Sequence, residues 1–193
     1  MRILILAALA AGAVAAPAYA QDAAPFTGPR VEGIVGWDRS QVPGDRTDGV
    51  AYGVGVGYDF QAGNAVLGLE AEASDSTSDK CVSGAFITTD TLCAKSGRDL
   101  YVGGRIGAAV APSTLIYAKA GYSNARVRIG YDTGVAGNVG DFTTHGNYDG
   151  IRVGAGVEQK IGANAYVKAE YRYTNYESDL VKHQAVVGFG VRF

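Results

Sequence analysis

Large hydrophobic residues alternate with small or polar residues along most of this chain. In VAYGVGVGYDF, residues 50–60, the larger residues stand at the even positions, and Ala51, Gly53, Gly55 and Gly57 stand between them. The same period of two recurs in residues 31–38, 67–74, 100–110, 116–122, 151–158, 165–173 and 184–193. This period is typical of strands with two different faces, and no segment shows a convincing helical period. The pattern predicts an all-β fold of eight strands.

The connections between these strands alternate between short and long. The short ones are QAGN at 61–64, APST at 111–114 and KIGAN at 160–164. The long ones are residues 40–48, 75–99 and 128–149, followed by the more moderate ESDLV at 177–181. Outer-membrane barrels have short periplasmic turns and longer external loops, which lie at opposite ends of an antiparallel meander. The predicted fold is therefore an eight-stranded antiparallel up-and-down transmembrane β-barrel.

One face of the predicted strands carries charges, and the other carries large hydrophobic residues. Five acids and six bases share the charged face: Glu32, Glu70, Glu72, Glu158, Glu170, Arg105, Lys119, Arg152, Lys168, Arg172 and Arg192. An eight-stranded barrel is only just wide enough inside for side chains, so the bulky hydrophobic face would overfill it. We therefore predict that the charges line the lumen and pair there. A soluble barrel with its charges in water is the alternative.

The aromatic residues of the hydrophobic face are predicted to contact outer-membrane lipid. They are Trp37, Tyr52, Tyr58, Phe60, Tyr171, Tyr173, Phe189 and Phe193. Tyr52 and Phe60 are separated by eight residues, or about 26 Å of strand. Tilted by about 40°, this length spans roughly 20 Å, close to the height of an outer-membrane apolar band. On the opposite face, we expect the glycines to leave room for long side chains such as Arg105, Glu70 and Arg172.

The beginning of the chain has the pattern of a secretory signal peptide. A positive start at Met1 and Arg2 precedes an apolar run over residues 3–16, and Ala18-Tyr19-Ala20 forms an A-x-A site. Cleavage is expected after Ala20, which leaves residues 21–193 as the barrel domain and sends the protein to the outer membrane. A retained membrane anchor is the alternative.

Export also determines how the two cysteines are interpreted. Cys81 and Cys93 would meet an oxidising compartment, so a disulfide is the default prediction. A metal or redox pair has no support, because no histidine is nearby and C-x-x-C is absent.

The net charge of −2 offers no basic field for nucleic acid. No cofactor is predicted, since the glycines at 53–57 are not followed by the helix that a dinucleotide fingerprint requires.

Seven stretches together carry a resemblance to a known family. They are residues 28–38, 52–60, 100–107, 116–127, 150–158, 166–177 and 183–193. Through these stretches, taken in this order along the sequence, the chain resembles the small outer-membrane β-barrels of the opacity type. Those proteins are related in architecture to the membrane domain of OmpA. The leading interpretation is a non-enzymatic integral outer-membrane surface protein with a charge-filled lumen. Its external loops would make envelope or surface contacts with a partner that the sequence does not name.

The resemblance also implies a route of assembly. Such proteins are handled by periplasmic chaperones and by a barrel-assembly machinery that reads a C-terminal aromatic residue. Phe193, Val191 and Gly188 match its usual pattern, whereas Val186 departs from the polar residue often found two positions before the glycine.

Two other functions are kept as alternatives. A narrow porin-like channel would also have a charged lumen, although open porins use 16 to 18 strands. A lipid A-modifying enzyme would need a nucleophilic serine near a histidine base. His183 lies at the external end of the last strand, Ser178 is a possible cross-strand partner, and His145 lies in an external loop.

Overall fold

The strands extend further than the sequence pattern predicted. The structure, a computed structural model, describes residues 24–42, 45–84, 89–134, 140–177 and 180–193. Its strands are β1 (Gly28–Val42), β2 (Asp45–Ala62), β3 (Ala65–Ser76), β4 (Asp79–Ser83), β5 (Thr91–Ala111), β6 (Thr114–Asp132), β7 (Phe142–Lys160), β8 (Ala165–Tyr176) and β9 (Val181–Arg192). The predicted signal peptide, residues 1–20, lies outside the described residues.

Eight of these strands close into a ring. Antiparallel pairing runs from β5 through β9 to β1, β2 and β3, and β3 then pairs with β5 past the short β4. The register of β1 places Arg30 opposite Gly57 on one side and Arg192 on the other. Closure leaves no free edge among the ring strands described here. The predicted eight-stranded antiparallel up-and-down barrel is confirmed.

The long connections contain regular structure that the sequence pattern did not predict. β4 pairs with the first residues of β5, beyond the end of β3. β6 and β7 continue their pairing as far as Tyr131 and Phe142, so most of the predicted loop at 128–149 is a hairpin. Hydrophobic alternation predicts a strand only where its two faces meet different surroundings. Beyond Tyr122 the outward face of β6 carries Arg126 and Arg128, while Val127 and Ile129 share the inward face of buried Ala125. The hydrophobic residues thus change face, and the pattern of residues 116–122 is not continued although the pairing is.

The short connections lie together at the opposite end of the barrel. β2 and β3 are joined by residues 63–64, β5 and β6 by 112–113, and β7 and β8 by 161–164. Gly63 has a φ of 60°, a left-handed conformation that glycine adopts without steric cost. The short and long connections therefore separate to the two ends, as the sequence predicted.

The barrel buries polar side chains and exposes hydrophobic ones. Arg152 and Arg172 are 0% exposed, whereas Val54, Leu69 and Ile151 are 61%, 74% and 67% exposed. A soluble barrel would bury its hydrophobic set instead. The observed inversion contradicts the soluble alternative. In the part of the chain that the structure describes, no helix has the length and hydrophobicity needed to cross a membrane.

A small hydrophobic cluster closes the short-turn end of the barrel. Phe26 is fully buried and packs with Val66, Leu115 and Tyr117. Its backbone N–H donates to Gln61 Oε1 at 3.0 Å, which holds the segment before β1 against the wall. Phe26 precedes the first alternating segment, so the sequence pattern gave no signal for it.

Candidate functional site: the charged lumen

The structure places all eleven charged residues of the predicted lumen set inside the barrel. Each of them is 7% exposed or less. Five further charged residues join them there: Arg30, Asp38, Asp59, Asp99 and Lys182. Together these strand residues comprise eight acids and eight bases, so the described lumen is balanced in formal charge. Sequence reasoning missed the five, although each lies on the inward alternation of its strand or one step beyond its predicted end.

The tier nearest the short turns is organised around Asp59. Its carboxylate accepts hydrogen bonds from Arg30 Nε at 3.1 Å, from Arg105 Nη2 at 2.5 Å and from Arg192 Nη2 at 2.8 Å. Glu158 accepts from Arg105 at 3.1 Å and from Arg192 at 2.7 Å. Arginine suits this arrangement because its planar fork can donate to two carboxylates at once. The tier ties β1, β2, β5, β7 and β9 together across the lumen.

The central tier is built from lysine and glutamate. Lys168 Nζ lies 2.6 Å from Glu32 Oε1 and 3.3 Å from Glu170 Oε2. Lys119 Nζ lies 2.7 Å from Glu70 and 2.9 Å from Glu170. Each lysine therefore bridges two carboxylates on different strands.

The third tier, nearest the long connections, extends the ion-pair network toward that end of the barrel. Glu72 accepts from Arg172 at 2.6 and 2.7 Å and from Arg152 at 3.2 Å. Arg152 also donates to Asp99 at 2.6 Å, and Lys182 Nζ lies 3.9 Å from the same carboxylate. Lys182 has a second, closer partner in Asp38 at 3.2 Å. A buried charge is costly unless it is paired and hydrogen-bonded, and here the pairing runs along the whole lumen.

Four inward-facing tyrosines, which the sequence pattern did not single out, fill the space between the charges. They are Tyr101, Tyr117, Tyr166 and Tyr176, each 3% exposed or less. The hydroxyls of Tyr117 and Tyr166 donate to Glu170 and Glu32 at 2.6 and 2.7 Å. Their rings rest on glycines of the next strand: a Cβ at Gly190 would lie 2.3 Å from the Tyr166 ring. Packing an aromatic ring over a cross-strand glycine is a recognised way of stabilising a curved sheet.

The glycines of residues 50–60 do leave room for charged chains, but not for the ones predicted. A Cβ at Gly55 would lie 3.0 Å from Glu32 Oε1, and one at Gly57 would lie 2.9 Å from Arg30 Nη2. The registers explain this, because Glu32 and Arg30 stand directly opposite Gly55 and Gly57 on β1. The prediction of Arg105, Glu70 and Arg172 at this position was wrong. The occupants come from the adjacent strand rather than from across the lumen.

The predicted lipid-facing aromatics all lie on the outer surface. Trp37, Tyr52, Tyr58, Phe60, Tyr171, Tyr173, Phe189 and Phe193 are between 36% and 57% exposed. Tyr171 donates to or accepts from His183 Nδ1 at 2.7 Å, and the ring of Tyr173 lies against the same histidine. His183 therefore faces outward among aromatic side chains. The proposed catalytic partner Ser178 lies outside the described residues.

The strands beyond the hydrophobic band are held by their own contacts. Cys81 and Cys93 are directly paired between β4 and β5 and are joined by a disulfide. Tyr131 donates to Asp90 at 2.9 Å, and this hydrogen bond raises the pKa of the Tyr131 hydroxyl. Within the described ranges, no group of three or more histidine, cysteine, aspartate or glutamate residues is placed to hold a metal ion.

The family described as an outer membrane protein beta-barrel domain matches residues 6–193. The chain belongs to this family.

Two curated relatives in the outer membrane β-barrel family agree with that assignment. The chain is 33% identical over 136 residues to the 22 kDa outer membrane protein of Rhizobium leguminosarum bv. viciae. That match covers 68% of this chain and 57% of the relative, so it leaves a large part of the relative unmatched. The chain is 28% identical over 163 residues to the 25 kDa outer-membrane immunogenic protein of Brucella ovis, covering 82% of this chain and 72% of that one.

Solved structures confirm the fold of this outer membrane β-barrel family member. Ail of Yersinia pestis superposes with a TM-score of 0.58 at 12% identity, covering 86% of this chain and 99% of Ail. Neisserial surface protein A has the same TM-score at 14% identity, covering 86% of this chain and 98% of its own.

Membership in the outer membrane β-barrel family indicates where the barrel is located and how it is oriented in the membrane. The protein resides in the outer membrane, as predicted, and its exposed hydrophobic wall contacts lipid. Short turns face the periplasm in such barrels and the longer connections face outward. The disulfide-linked β4 and the extended hairpin of β6 and β7 therefore lie at the external end.

Proposed function

We propose that this protein is a non-enzymatic surface component of the outer membrane, with a lumen sealed by ion pairs and an external end that makes the contacts. The observation that carries the proposal is the continuous network of buried, paired charges from Arg192 to Lys182. A water-filled pore would leave these groups hydrated, whereas they are almost fully excluded from solvent. Eight-stranded barrels are filled by their side chains, in contrast to the wider barrels of open porins.

The external connections supply the proposed contact surface. Binding residues in rigid scaffolds concentrate on the segments that join the framework elements. Here the framework extends outward as paired strands, which presents those segments away from the bilayer. Ail has been solved in complex with the heparin analogue sucrose octasulfate, and the Brucella relative is described as immunogenic. These properties belong to those proteins, and they support an external contact role for this chain.

Conductance in planar bilayers tests the sealed lumen. We expect the purified, refolded barrel to give no stable unit conductance, because opening a path would break several buried ion pairs. Arg105→Ala with Glu158→Ala, which removes one arginine and one acid together, is the positive control that should admit ions. A stable unit conductance that substitution of Arg105 or Glu70 abolishes would make the lumen a narrow channel instead.

Lipid A mass spectrometry tests the non-enzymatic part of the proposal. We expect the lipid A profile of cells to be the same with and without this protein. The contacts of His183 are with tyrosine side chains, which suits an interfacial polar residue rather than a base. Loss or gain of an acyl chain that depends on His183 would establish the enzymatic alternative.

The C-terminal residues are proposed to serve as the assembly signal, read by the barrel-assembly machinery after delivery by periplasmic chaperones. Phe193 is exposed on the outer surface, and its N–H donates to Pro29 O at 2.9 Å. Gly188 faces inward beneath Lys168, so its small size is also needed for packing. Phe193→Ser should lower the amount of folded protein in the outer membrane, while Phe189→Ser, a control of the same type on the same face, should lower it less.

A further inference from the structure

The outer surface of β5 and β6 carries a cluster of cations at the external end. Lys95 stands directly opposite Arg128. Next to this pair, Arg98 lies in a β-bulge whose two residues oppose Arg126. These four residues, Lys95, Arg98, Arg126 and Arg128, form a patch on the outer surface, the cationic wall.

The cationic wall faces away from the lumen. On β6, Ser123 and Ala125 are buried and face inward, whereas Tyr122 is exposed and faces outward. Side chains alternate along a strand, so Arg126 and Arg128 share the outward face of Tyr122. Tyr122 is the last hydrophobic residue on that face of β6. The cationic wall therefore begins where the hydrophobic band ends.

The cations of the wall lack the partners that charged residues have elsewhere in the barrel. Among the residues that the structure describes, Arg98 and Arg128 have no ion pair, and Arg126 donates only to the amide oxygen of Asn147 at 3.3 Å. Lys95 lies 3.9 Å from Asp79, with both side chains about half exposed. Like charges directly opposite one another destabilise a sheet. Two such pairs in succession, with so little compensation, indicate that an anion completes them.

We propose that the cationic wall binds the phosphate groups of the phosphorylated glycolipid in the outer leaflet. Arg126 and Arg128 lie four and six residues beyond Tyr122, or roughly 10 to 15 Å along the membrane normal for a strand tilted by about 40°. The headgroup layer adds about 5 to 8 Å on each side of the hydrocarbon core, so this height corresponds to the first sugars, and long arginine side chains can reach back to the headgroup phosphates. Arginine binds phosphate oxygens through two parallel hydrogen bonds, which suits a bisphosphorylated headgroup.

A lipid fits this surface better than a soluble anion does. The wall lies on the side of the barrel that contacts the membrane, where lipid headgroups are permanently concentrated. On the β1–β2 side, at the corresponding level, Arg39 is instead paired with Asp48 at 2.7 and 3.2 Å. Arg39 thus has the carboxylate partner that Arg98, Arg126 and Arg128 lack among the described residues. The inference goes beyond the proposed function, since it holds whether or not the lumen conducts.

Titration of the full refolded chain in neutral detergent, followed by native mass spectrometry, tests the assignment. The probes are bisphosphorylated lipid A and the same lipid A without phosphates. We expect Arg126→Gln with Arg128→Gln to weaken binding of the phosphorylated form at least tenfold. The matched control, Arg39→Gln with Asp48→Asn, should change it less than twofold. Equal binding of the two lipids by the natural chain would overturn the proposal, and so would equal losses in the two double variants.

Thermal unfolding separates lipid binding from a structural role of the same arginines. Without lipid A, the Arg126 and Arg128 double variant should melt at the same temperature as the natural chain or a few degrees higher, because like charges have been removed. With phosphorylated lipid A, the natural chain should melt higher than the variant. A variant that melts lower in both conditions would assign the arginines to folding. Inorganic pyrophosphate that binds as tightly as lipid A would assign the wall to soluble anions.

Discussion

Gly55 and Gly33 lie on neighbouring strands but face opposite sides of the barrel wall. A Cβ at Gly55 would meet Glu32 at 3.0 Å, whereas a Cβ at Gly33 would meet nothing within 4 Å. Gly55→Leu should therefore overpack the lumen and lower the free energy of unfolding by about 1 to 3 kcal/mol. Gly33→Leu should be neutral or stabilising, because it adds a lipid-facing side chain to a strand. Urea unfolding in vesicles, read by the heat-modifiable band on gels, compares the two; equal losses would refute this account of the glycine.

Two buried tyrosines differ in one hydrogen bond. Tyr117 donates to Glu170 at 2.6 Å, while the hydroxyl of Tyr101 has no hydrogen-bond partner in the described part of the chain. Tyr117→Phe should cost about 1.5 to 3 kcal/mol, because a bond to a charged acceptor is lost. Tyr101→Phe should be neutral or slightly stabilising, since it removes an unsatisfied buried hydroxyl. The same unfolding assay checks both, and a larger loss for the Tyr101 variant would contradict the assignment.

At the scale of strands, hydrophobic alternation predicted the elements where the wall separates lipid from a polar lumen. It placed all eight ring strands and the two classes of connection. It did not predict β4 or the outer parts of β6 and β7, because the outward hydrophobic set of the barrel ends before them. In β6, Val127 and Ile129 lie on the inward face, and the outward face carries Arg126 and Arg128. The register between strands was also beyond the pattern, which explains why Glu32 rather than Arg105 was found against Gly55. Pairing is set by turns and packing that a period of two does not encode.

The disulfide is predicted to stabilise β4 without contributing to the stability of the eight-stranded ring. Cys81 and Cys93 enclose a segment of the external end, and the ring below them is closed by other pairings. Closing a loop of this size stabilises it by about 3 kcal/mol in the chain-entropy model. The Cys81→Ser, Cys93→Ser double variant should expose residues 79–95 to protease and faster hydrogen exchange, while its barrel melts as before. A large drop in the barrel's melting temperature would show that the external strands support the ring.

At the scale of the whole molecule, the lumen holds the barrel together through charges shared among strands. Asp59 accepts hydrogen bonds from three arginines on β1, β5 and β9. Asp59→Asn would leave these buried cations undercompensated, and we expect it to lower stability by about 3 to 5 kcal/mol. Asp48→Asn, which removes the acid of the exposed pair with Arg39, should leave stability unchanged within error. Urea unfolding in vesicles measures both, and similar effects would show that burial does not set the strength of these pairs.

The sequence predicted the composition of the lumen better than its connectivity. Eleven of its charged residues followed from alternation alone, since every second residue shares a face. Arg30 and Lys182 were missed because they lie just outside the predicted strands. Phe26 was missed because it lies in the irregular segment before β1, from which its side chain closes the short-turn end of the lumen. Which acid meets which base depends on strand tilt and register, and both arise only when the ring closes.

Closure of the ring joins the two strands that are most distant in the chain. β1 pairs with β9 across at least 140 residues, as between Gln41 and Val181, whereas most other neighbouring strands are joined by local connections. Contacts between distant residues form slowly, because the chain between them must first be ordered. Lys168 on β8 reaches Glu32 on β1 only after this seam has formed. While this seam is open, the chain has two free sheet edges and part of its lumen charge is unpaired. We therefore expect closure of the seam and neutralisation of the interior to occur together.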